Sequence, residues 1–363
     1  MTDLVLMTGA SGFLGRRLLR AWLRRTEARV VACVRERNGR TPAERLALVT
    51  NGHDAALHDA YKQRVTVLHA DLAAPGLGLA ASSRTELSES VTHVVHCGGV
   101  VRFDLPLDEV RRTNTEGTAS MLDLAHRCPR LRRFDHISTA FVAGSRQGLV
   151  LESELDRGQQ HNNSYERSKF EGELLVREAA NELPIAVYRP SIITCDVRTG
   201  AVSPHGAVAR MLRAYAAGVL TGLPGRADSQ LDLVPADFVA EAVLALAGME
   251  SEIGGCFHLA AGRKRAATLG EVRDLTAEAF GRDELLLGAG TAVADGAPAG
   301  LRDEIALYAP YLAGGVDFDV TETSRALAET GIGVPTIREY FGRLAQEVAR
   351  MVAHDLGARR PRP

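Results

Sequence analysis

A glycine-rich turn near the start of the chain constrains the fold more than any other feature of the sequence. The segment TGASGFLG follows the apolar run Leu4–Thr8 and opens a stretch whose apolar residues, such as Leu18 and Trp22, recur at helical spacing. A GxxGxxG spacing at a strand-to-helix turn lets the backbone approach a pyrophosphate, which the helix N-terminus attracts. The alternative is a tight turn that binds no ligand. We predict a dinucleotide site with contacts from Gly9, Ser11, Gly12, Phe13, Leu14 and Gly15.

The order of apolar runs indicates an α/β fold. Up to about residue 190, short β-branched runs alternate with amphipathic stretches, which is typical of a doubly wound parallel sheet of the Rossmann type. The predicted strands are Leu4–Thr8, Arg29–Val34, Val65–Ala70, His93–Cys97, Arg133–Ser138 and Ile185–Tyr188. We predict a dinucleotide-binding Rossmann domain over residues 1–190 and a smaller mixed substrate lobe over 191–363. Residues 231–260 are expected to return to the first domain, and the terminal RRPRP is expected to fray.

The bulk composition excludes several classes of protein. The 43 basic and 45 acidic residues leave a net charge of −2, which favours neither nucleic acid nor an anionic membrane as a partner. No apolar run approaches the roughly 18 to 20 residues of a membrane span, and the N-terminus lacks the pattern of a signal peptide. Neither the five scattered cysteines nor the eleven histidines show metal-ligand spacing. We therefore expect a cytoplasmic protein without a bound metal.

The end of the second strand predicts which dinucleotide is bound. Enzymes that use NAD usually carry an acidic residue there, which accepts a hydrogen bond from the ribose 2′-hydroxyl. This chain instead has Cys33, Val34 and Arg35, and Arg45 lies on the following helix. Because a guanidinium pairs well with a 2′-phosphate, we predict NADPH as the cofactor, held by Arg35 and Arg45. The alternative is a solvated arginine in an arginine-rich chain.

Two further strand ends supply predicted cofactor contacts. In sheets of this type, ligands bind at the carboxyl ends of the strands. The motif HADL places Asp71 and Leu72 after the third strand, and CGG places Cys97, Gly98 and Gly99 at the end of the fourth. We predict that Asp71 meets the adenine amino group, with a helix N-cap as the alternative. The two glycines would let the backbone run beside the cofactor.

The catalytic prediction depends on the motif YERSK. It sets Tyr165 and Lys169 four residues apart, so that both project from one face of a helix. A phenol with a pKa of ~10 is a weak proton donor at neutral pH, and a neighbouring ammonium together with a nicotinamide cation is expected to lower that pKa. Only three of the 43 basic residues are lysines, which makes Lys169 informative. The alternative is an incidental, exposed pair.

Polar side chains near the fifth strand complete the predicted site. The motif HISTAFVAG ends this strand and brings Ser138 and Thr139 to the same edge of the sheet. We predict Thr139 as the second hydrogen-bond donor to the reacting oxygen, whereas Ser138 is expected to end the strand. Asn114 is either an anchor for a water or for the backbone near the lysine, or a residue of the helix surface.

In this order, the motifs resemble those of the extended short-chain dehydrogenase/reductases. The chain is similar to the thioester reductase and fatty acyl-CoA reductase branch over roughly residues 3–260, in the segments HADLAAPGLGL, HCGGVVRFDLPLDEVRRTNTEGT, HISTAFVAG, YERSKFEGE, YRPSIIT and DLVPADFVAEAV. The resemblance implies that Thr139, Tyr165 and Lys169 carry catalysis and that Arg35 reads the NADPH phosphate. It also implies that the nicotinamide is lined by Pro190, Ser191, Ile192 and Ile193.

The resemblance implies a reaction as well. Hydride would pass from NADPH to an acyl thioester, carried by coenzyme A or by an acyl or peptidyl carrier protein, and thiol would leave to give an aldehyde or, after a second reduction, an alcohol. Reduction of a free aldehyde or ketone is one alternative, and a nucleotide-sugar epimerase or dehydratase is another. A nonenzymatic regulator that senses NADPH is a third alternative, which Tyr165 and Lys169 disfavour because such regulators usually lack the catalytic tyrosine.

The stretch 207–220 has two interpretations. It is either a lid that meets a carrier protein or a lipid surface, or a packed helix of the lobe.

Overall fold

A central parallel sheet with helices on both faces dominates the computed structural model, which describes residues 2–47, 49–50, 55–203, 206–283, 285–288 and 290–358. The strands are β1 (Leu4–Thr8), β2 (Arg29–Val34), β3 (Val65–His69), β4 (His93–His96), β5 (Arg133–Ile137), β6 (Gly148–Val150), β7 (Ile185–Pro190), β8 (Ile192–Ile193), β9 (Leu220–Pro224), β10 (Gln230–Leu231), β11 (Leu233–Val234), β12 (Cys256–Leu259), β13 (Ala267–Thr268), β14 (Leu286–Gly288), β15 (Ala292–Val293) and β16 (Val316–Phe318). The helices are α1 (Phe13–Arg25), α2 (Pro42–Ala47), α3 (Ala55–Arg64), α4 (Ala81–Ser90), α5 (Leu107–Asn114), α6 (Glu116–His126), α7 (Ser164–Ala179), α8 (Ala207–Ala216), α9 (Ala236–Ala247), α10 (Gly262–Arg265), α11 (Leu269–Phe280), α12 (Leu301–Ala306), α13 (Ala309–Leu312), α14 (Thr321–Leu327) and α15 (Ile337–Ala358). Short 3₁₀ turns lie at Pro75–Gly78, Ala140–Ala143 and Glu250–Glu252.

The strands of the main sheet are all parallel and follow the order β12-β7-β5-β4-β1-β2-β3. Leu6 of β1 pairs with Val31 of β2 on one side and with Val94 of β4 on the other. The strand order reverses between β1 and β4, and a crevice opens at such a point beyond the carboxyl ends of the strands. The prediction of a doubly wound α/β sheet is confirmed, since each predicted strand is present within two residues of its expected bounds.

Apolar helix faces cover both sides of this sheet. On one side, Leu18 and Trp22 of α1 belong to the same buried cluster as Val239 of α9, and α9 packs against both α1 and β7. On the other side, Met121 of α6 and Val176 of α7 share a buried cluster with residues of β4 and β5. Both faces are therefore closed by packing, and the ends of the strands are left as the place where a ligand can approach.

A second apolar core is built mainly from residues after 190. Leu212 and Tyr215 of α8 are buried in one cluster with Tyr340 and Leu344 of α15. An ion pair of 2.5 Å between Arg213 and Asp355 joins the same two helices. The stretch 207–220 thus contains a packed helix of the lobe, the second of the two interpretations given above. The division of the chain near residue 190 stays a prediction.

Helix length and polarity bear on membrane insertion. The helix α15 has 22 residues, and buried Leu344 and Val348 alternate along it with exposed charged residues. Among the helices of the described ranges, none is both long enough and apolar enough to cross a bilayer. The terminal RRPRP lies outside the described residues.

Candidate functional site

The glycine-rich turn between β1 and α1 leaves no room for side chains. Gly9 adopts a φ of +73°, and an added Cβ there would lie 2.6 Å from the backbone oxygen of Cys97. A Cβ on Gly15 would lie 2.0 Å from the backbone oxygen of Gly9. The N–H of Gly12 donates to that same oxygen at 2.8 Å, which closes the turn. The glycines therefore allow β1, α1 and the end of β4 to meet closely.

The start of α1 is suited to receiving an anion. Gly12 is its N-cap residue, and no side chain among the described residues caps the helix there. Ser11, Phe13 and Leu14 flank this N-terminus and are half-buried, and the guanidinium of Arg17 lies 3.9 Å from the centre of the Phe13 ring. The first N–H groups and the positive end of the helix dipole are thus available to a phosphate.

Four arginines gather near the end of β2. The guanidinium of Arg45 donates to the backbone oxygen of Arg35 at 2.5 Å. The pKa of Arg45 is lowered by burial and, to a lesser extent, by the positive charges of Arg35, Arg37 and Arg16. The side chain of Arg35 is 38% exposed and lies 3.8 Å from an oxygen of Asp71. Since an anion would relieve this repulsion, the cluster suits a phosphate group. Sequence reasoning found Arg35 and Arg45 but missed Arg16 and Arg37.

Asp71 lies in a turn after β3, not at a helix N-cap. Its carboxylate accepts a hydrogen bond from the N–H of Ala73 at 3.0 Å, which is the geometry of an Asx turn. The 3₁₀ turn that follows, Pro75–Gly78, has Ala74 as its N-cap residue. The N-cap interpretation of Asp71 is therefore wrong, because the chain makes an extra turn before the helical segment begins. Its contact with adenine stays a prediction.

The residues that follow β3 and β4 crowd together at the same edge of the sheet. A Cβ on Gly98 would lie 2.5 Å from Cδ1 of Leu72, and the N–H of Gly98 donates to the hydroxyl of Thr8 at 3.0 Å. Cys97 is half-buried, and burial raises the pKa of its thiol to about 12. Gly99 is exposed. This edge thus offers backbone, with little side-chain bulk, to a ligand in the crevice.

Asn114 anchors the loop after β4. The buried amide accepts from the N–H of Val100 at 2.8 Å and donates to the carbonyl of the same residue at 3.1 Å. Its Nδ2 also donates to the hydroxyl of Ser168 at 3.0 Å, and its Oδ1 would lie 3.2 Å from a Cβ on Gly99. Of the two interpretations of Asn114, the structure therefore shows the backbone anchor, which ties the loop to α7.

Thr139, Tyr165 and Lys169 meet at the carboxyl end of β5. Lys169 is only 5% exposed and donates from Nζ to the backbone oxygen of Ile137 at 2.8 Å. The side chain of Thr139 lies close enough to Tyr165 to lower the pKa of its phenol. The helix α7 begins one residue before Tyr165, so the tyrosine lies in its first turn and the lysine lies one turn later. We refer to these three residues as the trio.

The segment after β7 borders the trio. The carbonyl of Pro190, the last residue of β7, accepts from the Thr139 hydroxyl at 3.4 Å. The N–H of Ser191 donates to the backbone oxygen of Leu259 at 3.2 Å. The strand Ile192–Ile193 pairs in parallel with β11. Pro190 therefore contacts the trio directly, and the contact of all four residues with a nicotinamide stays a prediction.

Burial sets the pKa values of the tyrosine and the lysine. It raises the pKa of Tyr165 to about 12, and the nearby side chain of Thr139 opposes that shift. It lowers the pKa of Lys169 to about 8, against the negative charges that Cys97 and Glu173 would supply. Burial is the largest influence on the pKa of Tyr165 in the protein as described, and the lowering expected from the ammonium together with a nicotinamide cation stays a prediction. Tyr165 is thus a protonated phenol at neutral pH.

Ser138 belongs to a buried charge network beneath the trio. Its hydroxyl donates to Glu173 at 2.5 Å, and Arg189 pairs with the same carboxylate at 2.5 Å. His258 of β12 lies 3.2 Å from Arg189. A buried charge depends on its partner, so this network fixes β5, β7 and β12 relative to α7. Ser138 therefore supports the end of the strand, as expected. Sequence reasoning missed Glu173 and Arg189, although Arg189 is a charge at the end of an otherwise apolar strand.

Aromatic rings from distant segments cover Tyr165. The Phe103 ring stacks on the Tyr165 ring, with centroids 5.7 Å apart and an interplanar angle of 27°. Tyr308 and Tyr311 contact Phe103 with centroid distances of 5.4 and 5.5 Å. Phe141 meets Tyr311 edge-on at 4.8 Å. We call these residues the aromatic cluster. No sequence motif signalled it, because its members come together only in the folded chain.

Residues 7–243 match the sequence profile of the male sterility protein family. The fatty acyl-CoA reductase wat of Drosophila melanogaster is 27% identical over 276 residues, which are 67% of this chain and 53% of the relative. The carboxylic acid reductase of Segniliparus rugosus is 32% identical over 277 residues, which are 68% of this chain and 23% of the relative. The chain thus spans little more than half of the first relative and less than a quarter of the second.

A solved structure shares the fold over nearly the whole chain. The terminal R domain from the myxalamid PKS-NRPS biosynthetic pathway superposes with a TM-score of 0.83 at 26% sequence identity. The match covers 96% of this chain and 91% of that domain. The likeness therefore extends past residue 243, where the family profile ends.

Proposed function

The chain belongs to the male sterility protein family of NAD-binding proteins, and on that premise we propose that it reduces acyl thioesters with NADPH. The two relatives bear the names of a fatty acyl-CoA reductase and a carboxylic acid reductase, which supports an acyl substrate. One observation carries the proposal: the side chains of Thr139 and Tyr165 interact close to the buried ammonium of Lys169, at the carboxyl edge of the sheet.

The glycine turn and the arginine cluster support NADPH as the cofactor. The uncapped start of α1, and the lack of space for a Cβ at Gly9, fit a pyrophosphate held against the backbone. Arg35 and Arg45 would hold the 2′-phosphate. When bound, NADPH supplies a hydride to the substrate carbonyl. The other proposed contacts are Ser11, Gly12, Phe13, Leu14, Gly15, Asp71, Leu72, Cys97, Gly98, Gly99, Tyr165, Lys169, Pro190, Ser191, Ile192 and Ile193.

Thr139 and Tyr165 would act on the reacting oxygen. As the carbonyl carbon accepts hydride, its oxygen gains negative charge, and each well-placed donor stabilises that oxyanion by ~3 to 4 kcal/mol. Tyr165, with a pKa of about 12, keeps its proton until the oxyanion forms and can then transfer it to that oxygen. The ammonium of Lys169 would supply a positive charge beside the trio and a donor to the cofactor ribose.

A thioester is chemically suited to such a site. Sulfur donates little resonance to the carbonyl, so the carbon accepts hydride more readily than the carbon of an ester or an acid. The product of this step is a hemithioacetal. Its C–S bond then breaks, the sulfur takes up a proton and leaves as a thiol, and an aldehyde remains. A second reduction would give the alcohol. The thiol belongs to coenzyme A or to an acyl or peptidyl carrier protein.

Release of thiol tests the proposal. The protein is incubated with NADPH and a panel of acyl-coenzyme A and acyl-carrier thioesters, and free thiol, NADPH oxidation and the carbonyl product are measured together. We expect thiol to appear with the aldehyde or alcohol, and turnover to fall at least about tenfold in Thr139→Val, which keeps the shape but removes the donor.

A matched variant controls for loss of a buried hydroxyl. Thr276 donates to the backbone oxygen of Val272 within α11, away from the trio, so Thr276→Val should keep normal turnover. If the panel released no thiol while a free aldehyde or ketone was reduced efficiently, the protein would be a carbonyl reductase. Conversion of a nucleotide sugar without net NADPH oxidation would indicate an epimerase or a dehydratase.

A further inference from the structure

Tyr311 ties the C-terminal part of the chain to the start of the helix that carries Tyr165. Its hydroxyl donates to the carboxylate of Glu166 at 2.5 Å and accepts from Nδ2 of Asn163 at 2.7 Å. Asn163 is the N-cap residue of α7, and its Oδ1 accepts from the N–H of Glu166 at 3.0 Å. Both partners of the Tyr311 hydroxyl thus flank Tyr165 in the first turn of α7.

Glu166 is fully buried, so its carboxylate depends on hydrogen-bond donors from the protein. Its oxygens accept from the backbone N–H and the side-chain amide of Asn162, at 2.8 to 3.2 Å, and from the hydroxyl of Tyr311. Burial raises the pKa of Glu166, and the hydrogen bond with Tyr311 opposes that rise. Because an unsatisfied buried carboxylate is costly, the Tyr311 hydroxyl holds α13 firmly against the start of α7.

Tyr311 also contacts two aromatic residues, Phe103 and Phe141, which in turn contact Tyr165 and Thr139. Phe103 lies between Tyr311 and Tyr165 and stacks on both, with interplanar angles of 24° and 27°. Phe141 contacts Tyr311 edge-on, and the N–H of Phe141 donates to the hydroxyl of Thr139 at 3.3 Å. One side chain of the C-terminal part is therefore in contact with the neighbours of both Tyr165 and Thr139.

We propose that Tyr311 is a positioning residue, which fixes the Tyr165 phenol against Thr139 through Glu166, Asn163 and Phe103. The inference deepens the proposed function and rests on it in one respect, namely that the two hydroxyls act on the reacting oxygen. A donor that is displaced by about an ångström can lose about 10²-fold in rate, so a side chain that fixes the donor affects turnover without touching the substrate. Tyr311 lies beyond residue 243, outside the segment that matches the family profile.

The first test removes only the hydroxyl. Tyr311→Phe keeps the ring contacts but loses the bonds to Glu166 and Asn163. We expect kcat to fall at least about tenfold while the Kd of NADPH stays within about twofold of its normal value. Tyr215→Phe is the matched control, since the Tyr215 hydroxyl donates to the backbone oxygen of Asp283 at 2.7 Å, in the second core. It should leave kcat unchanged.

A double variant separates positioning from a general loss of structure. In a Tyr165→Phe background there is no phenol to position, so adding Tyr311→Phe should change the residual kcat by less than about twofold. An equal tenfold loss in both backgrounds would show that Tyr311 acts on the fold as a whole and would overturn the proposal. So would a normal kcat in Tyr311→Phe alone.

Crystal structures of the unchanged protein and of Tyr311→Phe give a readout that needs no substrate. We expect the Tyr165 hydroxyl to move away from Thr139 in the variant, and an unmoved Tyr165 would contradict the inference. The kinetic arms can use a free aldehyde as well as a thioester. Failure of the unchanged protein to reduce any thioester would therefore count against the proposed function, while the crystal structures would still decide the role of Tyr311.

Discussion

The Nζ atom of Lys169 donates a 2.8 Å hydrogen bond to the backbone oxygen of Ile137, which holds the ammonium inside the protein at the end of β5. Burial in this position lowers the pKa of Lys169 to about 8. In the proposed reaction Lys169 acts in its charged form, and that form is lost as the pH rises through the pKa. We therefore expect kcat/KM to fall with rising pH, with a midpoint near 8 and a slope of one proton.

A substitution that stays charged checks this assignment. Arginine keeps its proton across this range, so Lys169→Arg should be slower at every pH but should lack the falling limb near pH 8. The rate profile is measured from about pH 6 to pH 10, with stability followed at each pH. A limb that persists unchanged in the variant would assign the titration to another group.

Cofactor preference should depend on Arg35. The arginine cluster near the end of β2 favours a phosphate, so NADPH should bind at least about tenfold more tightly than NADH, a difference of ~1.4 kcal/mol. Arg35→Ala should erase most of that preference while leaving the affinity for NADH nearly unchanged. Arg29 begins the same strand at its opposite end and is exposed, so Arg29→Ala is the matched control. Equal affinities for the two cofactors in the unchanged protein would rule out this role.

Substitutions of Tyr165 and Lys169 should differ in their effects on turnover and on NADPH binding. Tyr165→Phe removes a positioned acid and should lower turnover by ~10² to 10⁴, with the Kd of NADPH almost unaffected. Lys169→Ala should weaken both NADPH binding and turnover. Tyr61→Phe, on α3, controls for the loss of a phenol elsewhere. Turnover and titration of NADPH fluorescence give the two quantities, and a nearly normal rate in Tyr165→Phe would mean that the proton comes from another group.

Two Gly→Ala substitutions should have opposite effects. In Gly15→Ala the new methyl would lie 2.0 Å from the backbone oxygen of Gly9, so both Tm and NADPH affinity should fall. Gly342 lies inside α15, and a Cβ there would meet nothing within 4 Å. Because alanine is a better helix former, Gly342→Ala should stabilise the protein by ~0.5 to 1 kcal/mol. Thermal unfolding and NADPH titration check both, and a tolerated Gly15→Ala would contradict the described turn.

Local patterns were enough to predict the main sheet and the glycine turn. A run such as Leu4–Thr8 is apolar because it is buried on both faces, and Gly9 is glycine because its φ is positive and another backbone lies against it. Membership of a reductase-like family was likewise predicted from motifs and is confirmed by the family profile. Such features depend on residues that are close together in the sequence, so they can be recognised without the structure.

Features that depend on contacts between distant residues could not be predicted in this way. The spacing of Tyr165 and Lys169 gave no indication that burial would raise the phenol pKa to about 12. Nor could it show that Tyr311 would come to rest on Glu166. The N-cap interpretation of Asp71 was wrong for another reason. An Asx turn and a helix N-cap use the same side-chain acceptor and differ only in the backbone that follows.

The outermost strand of the main sheet, β12, is reached only after the chain has left the sheet at β7 and passed through α8 and α9. A nascent chain that has emerged only as far as residue 190 would therefore present the free edge of β7, with unpaired N–H and C=O groups, and a face of α1 without its partner α9. Such an intermediate is prone to association with other chains. The nucleotide-binding half is thus completed from downstream, and its biogenesis depends on synthesis continuing past Leu259.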